Sequence, residues 1–127
     1  MDVKRLSKFI GDESLTIVDA MSRIDENSAG ILFVTDKEEK LIGSLTDGDI
    51  RRWIMNAGEV SASVKDAMNK SPRVLFKCEQ TDAIKVMKAQ KITAIPILDK
   101  TMRIEDIILL SDAEKAKEIK ANLTGIP

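Results

Sequence analysis

The residues with the clearest chemical potential lie in one short segment, 43–49, with the sequence Gly-Ser-Leu-Thr-Asp-Gly-Asp. Its first residues predict the end of a strand, and the residues from Thr46 onward predict the start of a helix. Backbone N–H groups at a helix start attract an anion such as a phosphate, and the helix dipole strengthens that attraction. The Thr46 hydroxyl could join such a site, and the Asp49 carboxylate is an acceptor suited to the hydroxyl groups of a ribose.

The same two residues also have a structural explanation. Thr46 and Asp49 have the spacing of a capping box, in which each side chain accepts a hydrogen bond from the other residue's backbone N–H. Capping and ligand binding do not exclude each other, so both interpretations stay open here. Ser111 and Glu114 have the same spacing and predict a capping box at the start of the last helix.

The elements that position this segment occur twice in the chain. Asp19-Ala20 recurs as Asp82-Ala83, Asp36-Lys37 as Asp99-Lys100, and Asp49 as Asp112, each time 63 residues later. The apolar spacing of the first copy predicts a helix over 17–24, strands over 29–34 and 41–45 around a polar turn, and a helix from 46. The second copy predicts a helix over 84–89, strands over 92–98 and 104–110, and a helix from 111. Between the copies, we predict a short helix over 64–68 and an extended segment over 73–76.

Composition limits what such a duplicated chain can do. It has 127 residues, so each copy is about 60 residues long, too small to bury a large core alone, and the copies should share one. There is no histidine, so the chain lacks the commonest general base and the commonest metal ligand. We therefore expect the chain to bind a ligand rather than to catalyse a reaction, and we expect no metal site. A net charge of −1 gives no reason to expect nucleic acid or a membrane surface as a partner. Cys78 is the single cysteine, which fits a reducing, cytoplasmic location.

The 63-residue repeat, segment 43–49 and the run Ala-Ile-Pro-Ile-Leu-Asp at 94–99 together resemble the cystathionine-β-synthase (CBS) domain in its tandem form, often called a Bateman module. The resemblance spans nearly the whole chain. It implies an α/β (α+β) fold in which two pseudo-symmetric β-α-β-β-α CBS units pack sheet to sheet, with two clefts between them. The expected divisions are 1–60 for the first unit, 61–122 for the second, and 123–127 as a linker toward a missing C-terminal domain.

The family binds adenosine-containing ligands and regulates attached enzymes or channels. The resemblance therefore implies an adenine nucleotide or S-adenosylmethionine as the small-molecule partner, no obligatory cofactor, and a homodimer. Carried over residue by residue, Thr46 would bind phosphate and Asp49 the ribose hydroxyls. The remaining residues implied for this first cleft are Ser44, Asn69, Ser71, Ile92, Thr93 and Ala94.

The second cleft departs from this pattern. The 63-residue offset places Asp106 at the position of Gly43 and Leu109 at that of Thr46, while Asp112 corresponds to Asp49. A leucine and an extra carboxylate disfavour a phosphate, through lost hydrogen bonds and like charge. We therefore expect one competent cleft and one degenerate cleft.

Three functions follow, with different expectations. The first is a regulatory module that senses an adenosine-type nucleotide and modulates an attached enzyme. The second copy resembles CBS pairs attached to sugar-phosphate nucleotidyltransferases, so the expected C-terminal catalytic domain is an enzyme of that class. The second is a structural or dimerisation module of that enzyme, without a ligand. A stand-alone enzyme is disfavoured because the chain lacks histidine and paired catalytic groups.

Overall fold

The computed structural model describes residues 1–116 of the chain, so 117–122 and the linker predicted at 123–127 lie outside the described residues. The helices are α1 (Val3–Leu6), α2 (Ile17–Asn27), α3 (Asp47–Met55), α4 (Val64–Ala67) and α5 (Ala83–Gln90), followed by a helix over 110–116. The strands are β1 (Ile10–Asp12), β2 (Ile31–Thr35), β3 (Leu41–Thr46), β4 (Leu75–Phe76), β5 (Ala94–Leu98) and β6 (Ile104–Leu109). Two 3₁₀ helices cover Ser7–Phe9 and Lys77–Asp82.

These strands form two three-stranded sheets with the same topology. In the first sheet the order is β1-β2-β3, and in the second it is β4-β5-β6. The first pair of each sheet is parallel and the second pair is antiparallel. In each unit a helix follows the first strand and another follows the third strand, so both units have the order β-α-β-β-α. The predicted mixed fold of two like units is confirmed.

The 63-residue offset holds at the level of single residue pairs across the strands. Phe33 lies opposite Ser44 in the first hairpin, and Pro96 lies opposite Ile107 in the second. Both hairpins also shift register at equivalent points, between 34 and 35 and between 97 and 98. Because a slip of one residue would turn every side chain to the other face, this agreement means that the two copies bury equivalent faces.

The two sheets are held together by a central core to which both units contribute. Phe9 and Phe33 come from the first unit and pack with Ala94, Ile107 and Leu109 of the second. Each sheet also buries its other face, against its own helices, in two separate outer cores. The sheet-to-sheet packing of the units is therefore confirmed, and it gives each small unit the apolar burial that it lacks alone.

Helix α2 shows why these segments fold as they do. Its apolar residues Ile17, Ala20 and Ile24 recur on one face and are buried in the first outer core. Thr16 caps the helix through a capping box with Asp19, which satisfies backbone N–H groups left free at a helix start.

Residues 56–74, between helix α3 and strand β4, form the connector, and its packing shows with which unit it is associated. Val64 of α4 is fully buried in the first outer core, so the segment after residue 60 packs on the first unit. The boundary between residues 60 and 61 stays a prediction.

Two features differ from expectation. Helix α1 is not predicted, because four residues are too few to show a period, and strand β1 is implied by the family resemblance but not by the apolar spacing of its three residues. The last helix is already helical at residue 110, so Ser111 lies inside its first turn and is not the predicted cap. The repeat explains this, because the counterpart of the cap Thr46 is Leu109, which has no side-chain acceptor.

Candidate functional site

The capping box predicted at the start of α3 is present. The backbone N–H of Thr46 donates to Oδ2 of Asp49 at 2.9 Å, and the backbone N–H of Asp49 donates to Oγ1 of Thr46 at 3.1 Å. The other carboxylate oxygen, Oδ1, accepts a hydrogen bond from Nη2 of Arg52 at 2.6 Å. The Arg52 side chain is 69% exposed whereas that of Asp49 is 14% exposed, so the cap holds a carboxylate at the surface of the adjoining cleft.

A cleft of about 340 Å³ lies directly against this helix start. Its first wall consists of strand β2, strand β3 and the α3 start, and its second wall comes from the connector and the second unit. The first-unit lining residues are Gly30, Ile31, Phe33, Ser44, Thr46, Asp47, Gly48 and Asp49; the others are Asn69, Pro72, Arg73, Lys91, Ile92, Thr93 and Ala94. The cleft is therefore completed by both units.

Gly43 lets the connector approach strand β3 closely enough to form part of this wall. A Cβ at Gly43 would lie 2.5 Å from Sδ of Met68 and 2.9 Å from the backbone oxygen of Asn69, closer than real atoms pack. The next residue, Ser44, uses that approach, because its N–H donates to the Asn69 carbonyl at 3.0 Å and its carbonyl accepts from the Asn69 N–H at 2.8 Å. These two bonds fix the connector against the strand.

The structure brings seven of the eight sequence-predicted residues into this one cleft. They are Ser44, Thr46, Asp49, Asn69, Ile92, Thr93 and Ala94. Ser71 is not among the lining residues; it is exposed, and its backbone N–H donates to Oδ1 of Asn69 at 3.1 Å. Whether the seven bind a ligand stays a prediction.

Several lining residues were not predicted. Arg73 and Lys91 bring two cations to the cleft, and Gly30 and Phe33 complete its first-unit wall. Gly30 directly precedes Ile31, which lies opposite Thr46 in the first hairpin, so the pairing of the two predicted strands could have indicated it. Lys91 directly precedes the predicted Ile92 and Arg73 lies two residues after the predicted Ser71, but nothing in their types marks them as lining residues.

The lining of the first cleft includes groups that can bind a ligand. It offers a helix start and a hydroxyl for an anion, a carboxylate for a diol, and apolar side chains from both units. Among residues 1–116, no group of three or more His, Cys, Asp or Glu side chains could hold a metal ion.

A second cleft, of about 510 Å³, lies at the equivalent place on the other side of the pair. It is lined by Leu109 and Asp112, as predicted, and the Asp112 carboxylate lies 2.6 Å from Nη2 of Arg5. Leu109 cannot supply the hydroxyl that Thr46 offers in the first cleft. Asp112 is thus paired with a side chain from the N-terminal segment, and both groups are about half exposed.

Asp106 does not line the second cleft, contrary to the expectation of an extra carboxylate there. It lies among Met1, Lys77 and Gln80, and its Oδ1 accepts a hydrogen bond from the N-terminal amine at 3.1 Å. The register explains the placement, because the equivalent position, Gly43, faces the connector rather than the cleft interior. Of the two differences predicted for the second cleft, the structure shows the loss of the hydroxyl at Leu109 and not the extra carboxylate of Asp106.

Comparison with known proteins agrees with this architecture. Residues 12–56 match the family model of the CBS domain. In solved structures, CBSX2 in complex with AMP has a TM-score of 0.74 at 21% identity, covering 93% of this chain and 92% of that one. A CBS domain protein from Pyrobaculum aerophilum, complexed with AMP, has a TM-score of 0.72 at 16% identity, covering 92% and 91%. The chain has the fold of a CBS domain pair, and its first unit matches that family in sequence.

Two curated relatives are named as sugar-phosphate isomerases. The arabinose 5-phosphate isomerase GutQ of Shigella flexneri is 31% identical over 102 residues, which are 80% of this chain and 32% of the relative. GutQ of Escherichia coli (strain K12) is 30% identical over the same length, again 80% of this chain and 32% of the relative. The chain thus spans about a third of these relatives. They do not support the expected link to a nucleotidyltransferase, since both are named as isomerases.

In the described part of the chain, no helix combines the length and the apolar character needed to cross a membrane.

Proposed function

We propose that this chain is a non-catalytic regulatory module that binds an adenosine-type nucleotide, namely AMP, ADP, ATP or S-adenosylmethionine, in its first cleft. The observation that carries the proposal is the position of Thr46 and Asp49 at the α3 start, facing Ile92, Thr93 and Ala94 of the other unit. In this arrangement a ribose lies at Asp49, a phosphate lies near Thr46 and the helix N-terminus, and a base lies between apolar walls.

The capping box and this binding mode are compatible. Only Oδ2 of Asp49 is used by the cap, while Oδ1 accepts from the exposed Arg52 side chain. An exposed ion pair contributes little stability, so a ribose hydroxyl can replace Arg52 at Oδ1 at low cost. Arg52 is then free to approach a phosphate, a group that its planar guanidinium binds well.

Neighbours of the same fold support the ligand class. The Pyrobaculum aerophilum protein and CBSX2 were solved with AMP, and a CBS domain pair named MJ0100 was solved with 5′-methylthioadenosine and S-adenosyl-L-methionine. Adenosine is common to these ligands. Since the likeness is one of fold, the argument for this chain depends on its own Thr46 and Asp49.

The regulated enzyme in this proposal is a sugar-phosphate isomerase. The support is the isomerase relatives, of which this chain matches about a third, leaving the rest of their length for a catalytic part. In a chain of that kind the CBS pair changes activity by binding its ligand more tightly in one state of the enzyme than in another.

Isothermal titration calorimetry of AMP, ADP, ATP and S-adenosylmethionine against the purified chain tests the proposal. Binding to one site per chain is expected. Asp49→Ala should abolish it, and Asp112→Ala should change it little because the second cleft lacks the threonine hydroxyl. Equal losses from the two variants would contradict the assignment to the first cleft, and no binding by the wild type would contradict the function.

A second function, a structural dimerisation module without a ligand, is favoured by one surface feature. Val18 and Met21 of α2 and Ile54 of α3 are 49%, 37% and 47% exposed, which leaves an apolar surface on the helices of the first unit. A homodimer through this surface is compatible with either function. Sedimentation analysis showing a dimer, lost in Met21→Glu, together with no thermal shift from any of the four nucleotides, would favour the structural function.

A further inference from the structure

Ser44 is an unusual residue for its position. It is one of two polar residues found buried in the described chain, with 4% of its surface exposed, and it lines the first cleft. Its backbone N–H and carbonyl are both occupied by Asn69. Its hydroxyl makes no hydrogen bond within residues 1–116. Every side-chain oxygen that is fully shielded from solvent in this part of the chain does have a hydrogen-bond partner, so the Ser44 oxygen is not fully shielded. The hydroxyl is therefore open to the cleft and free to bind a ligand atom.

The repeat places a different residue at the equivalent position of the second unit. The counterpart of Ser44 is Ile107, which is 3% exposed and belongs to the central core. The two residues face equivalent partners, Phe33 and Pro96, in the same register. The first unit thus has a small hydroxyl side chain where the second unit has an apolar side chain in the central core, which places a polar group in the wall of the first cleft.

The position of the hydroxyl along strand β3 indicates which part of a ligand it would contact. Ser44 and Thr46 are two residues apart on the same face of the strand, so their side chains are about 7 Å apart. Thr46 adjoins Asp49 at the helix start, whereas Ser44 lies next to Phe33 and close to the apolar core. If Asp49 holds the ribose, the base extends toward Ser44.

We infer that the Ser44 hydroxyl determines ligand specificity by a hydrogen bond to the polar edge of a purine base, an inference that rests on the proposed nucleotide-binding function. A hydroxyl both donates and accepts, so it can pair with a ring nitrogen or with an exocyclic group. A buried site built around such a bond rejects a ligand that leaves the group unpaired.

Three purine nucleotides test this inference by calorimetry. AMP, IMP and purine riboside 5′-monophosphate share the ribose phosphate and differ at the C6 edge of the base. Wild-type affinities should differ by about tenfold or more across the three, since one hydrogen bond of about 1.4 kcal/mol corresponds to a factor of ten. In Ser44→Ala the tightest ligand should weaken by about tenfold and the three affinities should agree within about threefold. The melting temperature without ligand should not change, because the hydroxyl stabilises no other residue.

A second variant introduces the residue of the twin. Ser44→Ile should fold, since isoleucine occupies the equivalent position of the second hairpin, and it should bind none of the three nucleotides measurably. Wild-type binding with no difference among the three, the same spread in Ser44→Ala as in the wild type, or AMP binding retained by Ser44→Ile would each overturn the inference and leave the proposed function standing. Absence of binding by the wild type would overturn both.

Discussion

Lys40 and Arg103 face each other in an antiparallel bridge although they occupy the same position in the two copies. The Leu41 N–H donates to the Met102 carbonyl at 3.0 Å beside this bridge, and Nε of Arg103 donates to the Glu38 carbonyl at 2.9 Å. Equivalent residues can meet only next to the axis that relates the copies. The pseudo-two-fold axis therefore passes between the two hairpin turns. The central core lies next to these turns, because Leu41 and Ile104, which follow Lys40 and Arg103, pack against it.

The shared core predicts that the two units unfold together. Phe33 is 1% exposed and packs in that core, so Phe33→Ala should lower the free energy of unfolding by about 3–5 kcal/mol. Trp53 fluorescence reports on the first unit, and a dye attached to the exposed Cys78 reports on the second. Urea transitions from the two probes should coincide in the wild type and in the variant.

The control for this prediction is the same substitution at an exposed phenylalanine. Phe76 is 39% exposed at the edge of the second sheet, so Phe76→Ala should cost less than half as much. If Phe33→Ala moved only the Trp53 transition, the units would be independent and the shared core would have no energetic role.

The chain has a second capping box, at Thr16, so the effect of losing a cap can be measured separately from the effect of losing a ligand contact at Thr46. Thr16 caps α2 through the same interaction with Asp19 and does not line the first cleft. Thr46→Ala and Thr16→Ala should each lower the free energy of unfolding by about 1 kcal/mol, measured by urea denaturation. Only Thr46→Ala should also weaken AMP binding. Equal affinities in the two variants would mean that Thr46 acts as a cap alone.

Gly43 and Gly48 make a second matched pair. Gly43→Ala forces a Cβ against Met68 and the Asn69 carbonyl, so it should cost about 1–3 kcal/mol and weaken AMP binding as the connector moves away. At Gly48 the nearest atom to an added Cβ is Nη1 of Arg52 at 3.5 Å, an ordinary contact inside a helix. Gly48→Ala should therefore be neutral or stabilising by up to about 1 kcal/mol. Thermal denaturation and calorimetry of both variants check this, and a tolerated Gly43→Ala would contradict the close packing.

The sequence was informative where a pattern is repeated and uninformative where position depends on the partner unit. The hairpins and the helix beginning near Thr46 follow from apolar periodicity and turn residues, and the second copy doubles each signal. Apolar periodicity could not locate strand β1, because three residues that include Gly11 become a strand only by pairing with β2.

Side-chain direction was the other limit. Asp106 was expected in the second cleft because its counterpart Gly43 lies in the segment around the first. Glycine has no side chain to show which way that position faces, and the structure shows that it faces the connector. Arg73 and Lys91 were missed because arginine and lysine are mostly found on exposed surfaces, so their types did not reveal that they line the cleft.

Asp99, in the hairpin turn of the second unit, should make the free energy of unfolding depend on pH in the acidic range. Hydrogen bonding from the Thr101 hydroxyl, at 2.6 Å, and from the Thr101 and Arg103 backbone N–H groups lowers the pKa of the Asp99 carboxyl below its ordinary value. A carboxyl with a lower pKa in the folded state stabilises the fold above its unfolded pKa of about 3.9, and this contribution is lost as the pH falls through the folded value.

Asp99→Asn keeps an acceptor oxygen in the turn but removes the charge. The difference in unfolding free energy between wild type and variant should therefore be constant from about pH 7 to pH 5 and should shrink below about pH 4. Thr101→Val removes the hydroxyl that contributes most to the lowered pKa, so it should reduce the same acid dependence while Asp99 remains. Urea denaturation at a series of pH values measures both effects. A wild-type-minus-variant difference that stayed constant down to pH 2 would show that the turn does not favour the charged form of Asp99.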